Sequence, residues 1–330
     1  MTFRGKRVLV TGADGFIGSH LVEALVGANA AVTALSQYNS FNSWGWLDEI
    51  SCLESVNVIT GDIRDANFCV DLTKKVDIVF HLAALIPIPY SYRAPESYVD
   101  TNVKGTLHLC QGALRNGVTR FVQTSTSEVY GTAQYTPIDE RHPLCPQSPY
   151  SATKIAADAI ALSFYYSFQL PVVIARPFNT YGPRQSARAV IPTIIGQIAA
   201  GKTDIRLGDL SCTRDFTYVA DTCRGFLAIG QMEDGLGEVF HVGSNEEISI
   251  GRLLSVIAEL MGVSAEAVAD AERVRPSQSE VKRLRCDNTK LKLKSGFEPA
   301  VSLRDGLKQT AEWFSRTDNI RRYKPGLYNV

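Results

Sequence analysis

Short apolar runs alternate with longer stretches of helical periodicity in the first half of the chain. The first run, Arg7–Thr11, ends at a glycine-rich turn and is typical of a buried strand. Further strands are predicted at Ala31–Leu35, Val56–Thr60, Asp77–Leu82, Arg120–Ser125 and Pro171–Ala175. Helices are predicted at Ile17–Val26, Asn102–Asn116 and Tyr150–Phe168. Because strands that alternate with helices form βαβ units, the pattern predicts an α/β fold with a Rossmann-like, doubly wound parallel sheet.

The pattern changes after Arg176, and the later elements are shorter. Several residues that break helices and strands interrupt this part of the chain: Pro177, Gly182, Pro183 and Pro192. We predict a Rossmann-like domain over residues 1–175 and a smaller C-terminal domain over residues 176–330. Because no linker separates the two, the segments Thr217–Ile229 and Glu238–Val242 are expected to return to the first domain. The expected architecture is interleaved, with returning segments near 215–242.

Composition and charge narrow the classes of partner. Lys plus Arg (34) balances Asp plus Glu (34), so the chain has no net positive field that would hold nucleic acid or an anionic membrane. No apolar run approaches the roughly 18 residues of a membrane span, and the N-terminus lacks the pattern of a signal peptide. The seven cysteines are scattered without Cys-x-x-Cys or zinc-ligand spacing. We therefore expect a cytoplasmic globular protein without a metal site.

A glycine-rich turn follows the first strand directly. Its sequence is Gly12-Ala-Asp-Gly15-Phe-Ile-Gly18, between a predicted strand and a predicted helix. Glycines at this spacing permit a tight turn, close approach of the backbone to a pyrophosphate and close packing of the helix on the strand. The helix N-terminus then directs free N–H groups and the positive end of its dipole at the phosphates. This segment predicts a dinucleotide site with the contacts Gly12, Asp14, Gly15, Phe16, Ile17 and Gly18.

The end of the second strand bears on the choice between NAD and NADP. Dinucleotide-binding folds usually place an acid there for the adenosine ribose, but this chain has Ser36-Gln37-Tyr38. The missing acid leaves NADP open. However, no Lys or Arg lies within residues 8–63 to pair with a 2′-phosphate, and Arg64 is the one nearby residue that could supply such a charge. The sequence therefore favours NAD.

Two further strand ends are candidates for the same site. After the third strand, Asp62 can accept a hydrogen bond from the adenine amino group or can cap the next helix, and both roles stay open. After the fourth strand, small residues would let the backbone approach the cofactor, whereas His81 is more often structural at such a position. The predicted cofactor contacts at these two ends are Asp62, Ile63, Leu82, Ala83 and Ala84.

A tyrosine and a lysine share one face of a later helix. Tyr150 and Lys154 are one turn apart at the start of the predicted helix. A lysine ammonium near a tyrosine favours the phenolate, and the positive charge of a nicotinamide adds to this effect. Such a tyrosine can act as a general base on a sugar hydroxyl. The segment Ser125-Thr126-Ser127-Glu128, which ends the fifth strand, completes the candidate catalytic set.

Motifs along essentially the whole chain resemble those of one enzyme family, the extended short-chain dehydrogenases/reductases of the nucleotide-sugar epimerase/dehydratase type. The motifs are TGADGFIG, GDIRD, HLAA, TNVKGT, TSTSEVYG, SPYSATK, RPFNTYGPR and RDFTYVADT. The resemblance implies NAD as the cofactor, Thr126 as the hydroxyl member of the triad, Tyr150 as the base and Lys154 as its partner. It also implies that Asn102, in TNVKGT, is the central asparagine near the lysine. Asn102, Tyr150 and Lys154 are therefore predicted as cofactor contacts as well.

The two residues after Thr126 bear on the reaction. Simple 4-epimerases of this family carry no acid there, whereas 4,6-dehydratases carry a Glu that is usually preceded by Asp. Here the pair is Ser127-Glu128. The resemblance implies that Glu128 removes the C5 proton, while Ser127 departs from the Asp that protonates the leaving 6-hydroxyl. GDP-mannose-type dehydratases resemble this Ser-Glu pair, and UDP-glucuronate decarboxylases also carry it.

The reaction that the resemblance implies is an internal redox cycle. Tyr150 takes the proton of the sugar 4-hydroxyl while hydride leaves C4 for NAD. The new 4-ketone acidifies the C5 proton, which Glu128 removes, and water leaves from C6. The hydride then returns to C6, so the cofactor is regenerated and none is consumed.

The second domain is expected to hold a nucleoside-diphospho-sugar. The resemblance implies the substrate contacts Asn179 and Arg184 in RPFNTYGPR, Arg214 in RDFTY and Arg275 in RPSQSE. Arginine suits this role because its planar fork binds two phosphate oxygens at once. The segment 38–48, with Trp44 and Trp46, is similar to dehydratases of the legionaminic acid pathway, which act on nucleotide-linked N-acetylglucosamine.

The leading hypothesis is therefore a 4,6-dehydratase of a nucleoside-diphospho-N-acetylglucosamine. The alternative within the family is a UDP-glucuronate decarboxylase or a UDP-sugar 4-epimerase, although no single Arg indicates the cation that a decarboxylase needs at the C6 carboxylate. The alternative of another class is a non-catalytic protein that senses NAD, against which the complete catalytic set argues. The helix Tyr150–Phe168 is apolar around most of its circumference, which predicts a homodimer.

Overall fold

The apolar runs of the sequence form the strands of one central sheet in a computed structural model of the protein, which describes residues 2–323. The strands of this sheet and of the smaller sheets are β1 (Arg7–Thr11), β2 (Ala31–Gln37), β3 (Val56–Gly61), β4 (Ile78–His81), β5 (Arg120–Thr124), β6 (Val172–Pro177), β7 (Asn179–Tyr181), β8 (Asp204–Leu207), β9 (Thr213–Arg214), β10 (Phe216–Tyr218), β11 (Val239–Val242), β12 (Ile248–Ser249) and β13 (Glu266–Ala269).

Helices connect and cover these strands. They are α1 (Phe16–Gly27), α2 (Ala66–Leu72), α3 (Ile88–Ser91), α4 (Pro95–Tyr98), α5 (Gly105–Arg115), α6 (Pro149–Phe168), α7 (Val190–Ala199), α8 (Val219–Gln231), α9 (Ile250–Leu260), α10 (Thr289–Ser295), α11 (Leu303–Phe314) and α12 (Thr317–Ile320). Short 3-10 turns cover Gly45–Glu49, Leu53–Ser55, Ser127–Tyr130 and Ala271–Arg273. A π-helical segment, Val99–Lys104, runs directly into α5.

Seven parallel strands form the central sheet in the order β11-β6-β5-β4-β1-β2-β3. The chain proceeds outward from β1 to β3 on one side and from β4 to β6 on the other, so the strand order reverses between β1 and β4. In open α/β sheets, ligands bind in the crevice outside the carboxyl ends at this point. The sheet confirms the predicted α/β, Rossmann-like fold class.

Successive residues of each strand pack on opposite faces of the sheet. In β1, Val8 and Val10 belong to the core that includes α1 and α8, whereas Leu9 belongs to the core that includes α2, α5 and α6. All three side chains are fully buried. Because both faces are covered, these strands are continuous apolar runs rather than alternating ones, which made them recognisable in the sequence.

After β6 the chain leaves the central sheet and returns to it as β11, which pairs with β6 in parallel. The intervening α8 packs against α1 on one face of the sheet. Three small two-stranded sheets, β10-β7, β12-β9 and β13-β8, belong with α7, α9 and α11 to the remainder of the second half. Residues 324–330 of the predicted second domain lie outside the described residues.

One predicted helix differs in form from the observed one. The prediction was a single helix over Asn102–Asn116, but the chain is π-helical over Val99–Lys104 and α-helical only from Gly105. The wider π turn sets the side chain of Asn102 out of the α-helical phase that periodicity assumes. Within residues 2–323, no helix is both long and apolar enough to cross a membrane.

Candidate active site

The carboxyl ends of the central strands open onto a cavity of about 550 Å³, which we call the sheet-end cleft. It lies at the reversal of strand order between β1 and β4. Segments far apart in the sequence meet in it, and they carry most of the predicted site residues. Those that line the cleft are Gly12, Asp14, Gly15, Phe16, Ile17, Gly18, Asp62, Ile63, Leu82, Ala83, Ala84, Thr126, Ser127, Glu128, Tyr150, Lys154 and Asn179.

The turn after β1 has no room for side chains at two of its glycines. Gly12 has φ +65°, and a Cβ atom there would lie 2.8 Å from the nitrogen of Ala83. A Cβ atom on Gly18 would lie 2.1 Å from the carbonyl oxygen of Gly12. α1 begins at Phe16, and its N-cap residue, Gly15, provides no side-chain hydrogen bond to the first N–H groups. A helix N-terminus left uncapped beside a glycine turn is the arrangement that binds a pyrophosphate.

Buried polar side chains fix β4 against β1 beneath this turn. The Thr11 hydroxyl oxygen accepts hydrogen bonds from the backbone N–H groups of Leu82 and Ala83, both at 3.1 Å. The two ring nitrogens of His81 lie 2.8 Å from Thr11 Oγ1 and 3.0 Å from Thr106 Oγ1. Burial lowers the pKa of His81 to about 3, so the imidazole is neutral. His81 therefore has a structural role, as its position at a strand end suggested.

Asp62, which follows β3, is paired with Arg64. The Nε of Arg64 donates to Asp62 Oδ1 at 3.0 Å and its NH2 donates to Asp62 Oδ2 at 2.5 Å. The hydrogen bond from Arg64 lowers the pKa of Asp62. Both residues line the sheet-end cleft, but the charge of Arg64 is matched within the protein.

Asn102 lies behind the wall of the cleft rather than in it. Its Nδ2 donates to the Leu85 carbonyl oxygen at 2.9 Å and to Thr153 Oγ1 at 3.0 Å, and its Oδ1 accepts from the Leu85 N–H at 2.8 Å. These bonds tie the segment after β4 to α6. Asn102 therefore positions two walls of the cleft, and these hydrogen bonds use its side-chain amide without a direct contact to a cofactor.

Arg184, a predicted substrate contact, lines neither the sheet-end cleft nor the second cleft that meets it. Its NH1 and NH2 donate to the two carboxylate oxygens of Glu23 at 2.8 and 3.1 Å, and NH1 also lies 3.2 Å from Ser19 Oγ. Glu23 and Ser19 are on α1, so Arg184 fixes the turn after β7 to that helix. Both terminal nitrogens of the guanidinium are used on Glu23, and a contact of Arg184 with the substrate stays a prediction.

The N-terminal cap of α6 places the two catalytic candidates on that helix. The side chain of Ser148 caps the helix and forms a capping box with Ser151. Tyr150 and Lys154 follow on successive turns, and their exposed fractions are only 7% and 5%. Lys154 Nζ donates to the Thr124 carbonyl oxygen, at the end of β5, at 2.6 Å. The helix thereby joins the tyrosine to the strand end that carries Thr126.

Burial opposes the protonation states that the chemistry needs. Burial raises the pKa of Tyr150, and a hydrogen bond with Thr126 acts against that rise. Burial lowers the pKa of Lys154 to about 8, and the charge of Asp158 acts against that fall. The side chains of the protein therefore keep Tyr150 protonated. The additional positive charge of a nicotinamide, which the sequence analysis also invoked, is required to make the phenol a base near neutral pH.

Glu128 lies where the sheet-end cleft meets a second cleft of about 400 Å³. Thr126 Oγ1 accepts a hydrogen bond from the Glu128 N–H at 3.2 Å and so caps the 3-10 turn that follows β5. Thr126, Glu128, Tyr150 and Asn179 line both clefts. Ser127 is buried, and it lines the sheet-end cleft but not the second cleft. A group placed at the junction would therefore meet a hydroxyl, a phenol and a carboxylate together.

Two of the predicted substrate arginines line the second cleft, each next to carboxylates. Arg275 NH1 lies 3.6 Å from Glu128 Oε2 and 4.0 Å from Glu280 Oε1. Arg214 NH2 donates to Glu280 Oε1 at 3.3 Å. Glu280 thus lies between Arg214 and Arg275, and Arg275 also reaches Glu128 at the junction of the two clefts, where Asn179 lies as well.

The sequence analysis missed several residues of the second cleft. They are Ile86, Pro87, Ile88, Pro89, Tyr90, Arg188, Arg273 and Glu280. Arg273 and Glu280 flank Arg275, so the density of charge in that segment was an available signal. The alternation of Ile and Pro directly after the fourth strand was another, because that strand end was already assigned to the site.

A buried polar network supports the end of β5 from behind. Asp158 Oδ2 accepts hydrogen bonds from Ser125 Oγ at 2.5 Å and from Arg176 NH2 at 2.8 Å. Arg176 NH1 donates to the Tyr130 hydroxyl at 2.6 Å, and that hydroxyl lies 2.5 Å from His241 Nε2. The network joins α6, β5, β6 and β11, so it holds the segment that carries Thr126 and Glu128 in place.

Comparison with known proteins agrees with this geometry. The sequence matches the family model described as GDP-mannose 4,6 dehydratase over residues 9–310. The chain belongs to this family. The match confirms the predicted membership of the NAD-dependent epimerases and dehydratases among the extended short-chain dehydrogenases/reductases.

Proteins similar to this chain include both dehydratases and epimerases. A dTDP-glucose 4,6-dehydratase from Actinoplanes sp. is 33% identical over 315 residues, which are 93% of this chain and 97% of that protein. The dTDP-glucose 4,6-dehydratase from Streptomyces venezuelae, crystallised with NAD, is 31% identical with a TM-score of 0.86, over 97% of this chain and 99% of that chain. A UDP-glucuronic acid 4-epimerase from Bacillus cereus, crystallised with UDP-glucuronic acid and NAD, is 30% identical with a TM-score of 0.85, over 96% and 99%.

Proposed function

We propose that the protein is a nucleotide-sugar 4,6-dehydratase that binds NAD in the sheet-end cleft and a nucleoside-diphospho-N-acetylglucosamine in the second cleft. One observation carries the proposal: Glu128 lies beside Thr126 and Tyr150 at the junction of the two clefts. A 4-epimerase needs only to oxidise and reduce C4, whereas a dehydratase also needs a base for the C5 proton. Glu128 is that carboxylate.

The residues of the sheet-end cleft fit NAD. The crowded turn at Gly12 and Gly18 leaves backbone rather than side chains facing the pyrophosphate, and the uncapped N-terminus of α1 adds N–H donors. Related structures have been crystallised with NAD. When bound, NAD supplies a reversible acceptor for hydride. The residues that would hold it are Gly12, Asp14, Gly15, Phe16, Ile17, Gly18, Asp62, Ile63, Leu82, Ala83, Ala84, Tyr150 and Lys154.

The side chains at the junction carry the proton transfers. Tyr150, bonded to Thr126, takes the proton of the 4-hydroxyl as C4 is oxidised to a ketone. Glu128 then removes the C5 proton, which the ketone has made acidic, and the hydroxyl at C6 leaves as water once it is protonated. The hydride taken from C4 is delivered to C6 and a proton from solvent to C5, while Tyr150 returns its proton to solvent. The products are a 4-keto-6-deoxy sugar and one water. Because Glu128 lines both clefts, whereas Ser127 lines the sheet-end cleft but not the second cleft, we assign the proton of the leaving water to Glu128.

The walls of the second cleft suit an acetamido sugar linked to a diphosphate. Ile86, Pro87, Ile88 and Pro89 form an apolar wall that ends near Tyr150, where an acetamido methyl group finds apolar contact. Arg214 and Arg275 lie in the same cleft and have the planar donors that a diphosphate prefers. The apolar wall supports an N-acetylglucosamine and the arginines support its diphosphate, in agreement with the resemblance to dehydratases of the legionaminic acid pathway.

A second candidate, a UDP-glucuronate decarboxylase or 4-epimerase, is favoured by the same arginine. Arg275 NH1 lies 3.6 Å from Glu128 Oε2, so a cation is present near the point where a C6 carboxylate would lie. Against this candidate, a C6 carboxylate placed beside Arg275 would also lie beside the carboxylate of Glu128, and the two negative charges would repel each other.

Product masses separate these functions. The purified protein with NAD is incubated with UDP-N-acetylglucosamine, GDP-N-acetylglucosamine and UDP-glucuronate in parallel, and the products are separated by chromatography and analysed by mass spectrometry. Loss of one water supports the dehydratase, loss of carbon dioxide supports the decarboxylase, and a new sugar of unchanged mass supports an epimerase. Binding of NAD without turnover of any substrate would favour the non-catalytic NAD-sensing protein.

We also propose that the protein works in the cytoplasm. All seven cysteines are free thiols, and five of them are buried. Free thiols persist in reducing compartments, whereas secreted proteins generally form disulfides.

A further inference from the structure

We propose that Asp14 is the carboxylate that binds the adenosine ribose of NAD and excludes NADP, in place of the acid that the second strand lacks. The inference rests on the proposed use of NAD. Rossmann folds usually carry this acid at the end of β2, where it accepts a hydrogen bond from the ribose 2′-hydroxyl. In this chain β2 ends at Ser36-Gln37, and Tyr38 follows, so β2 itself supplies no carboxylate.

Asp14 reaches the end of β2 from the glycine turn of β1. Its Oδ2 accepts hydrogen bonds from the backbone N–H of Gln37 at 3.0 Å and from Ser36 Oγ at 3.2 Å. Asp14 and Gln37 both line the sheet-end cleft. The carboxylate therefore occupies the usual place of the ribose acid although it belongs to a different loop.

The segment after β2 holds the backbone of Asp14 in this position. The Trp46 N–H donates to the Asp14 carbonyl oxygen at 3.0 Å. Gly45 has φ +59° and packs so closely that a Cβ atom on it would lie 2.7 Å from the same oxygen. The ring of Trp46 packs edge-on against Trp313, with 5.6 Å between centroids. Asp14 is thus held on both its backbone and its side chain, as a preorganised binding group requires.

The chemistry of a carboxylate distinguishes the two cofactors at this point. A carboxylate has about four acceptor sites, so Asp14 can accept from a ribose hydroxyl in addition to Ser36 and Gln37. A 2′-phosphate has no hydroxyl to donate there and brings about two negative charges next to the carboxylate. No Lys or Arg occurs in residues 8–63 to offset that repulsion, and Arg64 is paired with Asp62.

Binding measurements on the whole protein without sugar substrate test this assignment. NAD, NADP and the 2′-deoxyadenosine form of NAD are titrated by calorimetry into the wild type, Asp14→Ala and Asp14→Asn. We expect the wild type to bind NAD about 10- to 100-fold more tightly than the deoxy form, the worth of one charge-assisted hydrogen bond. In Asp14→Ala this ratio falls to near one. In Asp14→Asn, whose amide oxygen still accepts from Gln37 and Ser36, NADP affinity rises by about tenfold or more.

Two matched variants separate this role from general effects on the cleft. Asp62→Asn alters another acid of the same cleft and is expected to change the affinities for NAD and deoxy-NAD by the same factor. Ser36→Ala removes a hydrogen bond to the Asp14 carboxylate but keeps the negative charge of that carboxylate, so this variant should still exclude NADP. It can be measured even if Asp14→Ala does not fold.

Several results would overturn the assignment. They are an unchanged preference for NAD over deoxy-NAD in Asp14→Ala, an Asp14→Asn variant that still excludes NADP fully, or loss of the ribose preference in Gln37→Ala instead, which would make Gln37 the ligand. A wild type that binds neither dinucleotide would overturn the proposed cofactor itself. A wild type that binds NAD with these preferences but turns over no sugar would leave Asp14 assigned and refute only the dehydratase function.

Discussion

Glu128 and Arg275 form an ion pair across the junction of the two clefts, with 3.6 Å between Oε2 and NH1. Glu128 follows β5 of the central sheet, whereas Arg275 belongs to a segment of the second half of the chain. On the proposed function, the substrate diphosphate competes with Glu128 for this guanidinium. Substrate binding would thereby release the carboxylate of Glu128 from its ion pair.

Glu128→Gln is expected to separate the two halves of the reaction. The glutamine keeps the size of the side chain but cannot take the C5 proton, so elimination should fall by about 10²–10⁴, the usual worth of a positioned general base. Oxidation at C4 uses Tyr150 and remains. Enzyme mixed with substrate should therefore accumulate reduced cofactor, seen by absorbance, with almost no 4-keto-6-deoxy product.

Tyr150→Phe is the matched control for that variant. Without the phenolic hydroxyl the first step is lost, so neither reduced cofactor nor product should form. In deuterated water the wild-type product should carry deuterium at C5, because the proton removed there exchanges, while the hydrogen delivered to C6 comes from C4 of the substrate. A Glu128→Gln enzyme as fast as the wild type, or a product without the C5 label, would contradict the dehydratase proposal and favour the decarboxylase or epimerase.

The central sheet was predictable because its signals are local. β1 has the predicted bounds, Arg7–Thr11, and the glycine turn after it follows from backbone geometry that only glycine allows at Gly12 and Gly18. The helix that carries Tyr150 and Lys154 was also found within one residue of its start. Each of these features is decided by residues that are neighbours in the sequence.

Contacts between distant segments could not be predicted in this way. Arg184 pairs with Glu23, and no local pattern in the sequence marks that partner. The absence of an acid at the end of β2 was visible in the sequence, whereas the carboxylate of Asp14 comes to that place from another loop. Asn102 was placed near the lysine, but its actual partners, Leu85 and Thr153, depend on a π-helical turn that periodicity does not show.

The stability of the protein should depend on pH through Lys154. Its pKa is lowered by burial from 10.5 to about 8, so the unfolded chain binds more protons than the folded one between these values. Stability therefore rises with pH in that window, because the folded state no longer holds a buried ammonium. Below about pH 8 the folded state bears the full cost, which is at most about 3 kcal/mol.

Unfolding by urea at a series of pH values, without cofactor, checks this expectation. The stability of Lys154→Met relative to the wild type should be greatest at pH 7 and should decline as the pH rises from 8 to 10. Lys154→Arg keeps its charge over the whole pH range. The stability of the wild type relative to this variant should therefore rise from pH 8 to 10 with a similar slope. Parallel curves for all three proteins would show that the lysine is protonated in the folded state throughout.

Removing only one member of the buried ion pair between Asp158 and Arg176 should strongly destabilise the protein. The two side chains are 6% and 4% exposed, with 2.8 Å between Oδ2 and NH2. Asp158→Leu leaves the guanidinium buried without its carboxylate, which should reduce the free energy of unfolding by about 3–5 kcal/mol. The double variant Asp158→Leu/Arg176→Met removes both charges and should recover much of that loss. Strictly additive effects in this cycle, measured by urea unfolding, would exclude the coupling.

The outer face of α6 is expected to form the interface of a homodimer. Ala157, Ala161 and Phe164 bury one side of this helix against the protein, while Tyr166 and Phe168 near its end are 72% and 55% exposed. Large apolar side chains on a helix that is already packed on its other side favour a partner over water. Because the commonest closed assembly of identical chains has twofold symmetry, the partner should present the same helix.

Light scattering at micromolar concentration should therefore give twice the protomer mass of 36.2 kDa. The double variant Tyr166→Glu/Phe168→Glu places charges in the interface, where desolvation without partners should raise the dimer dissociation constant by about 100-fold or more. Leu293→Glu is the matched control, because Leu293 on α10 is 80% exposed and carries no such role. A monomeric wild type, or equal dissociation of the Leu293 variant, would remove α6 as the interface. A dimer that persists in the double variant would place the contact on another face of the protein.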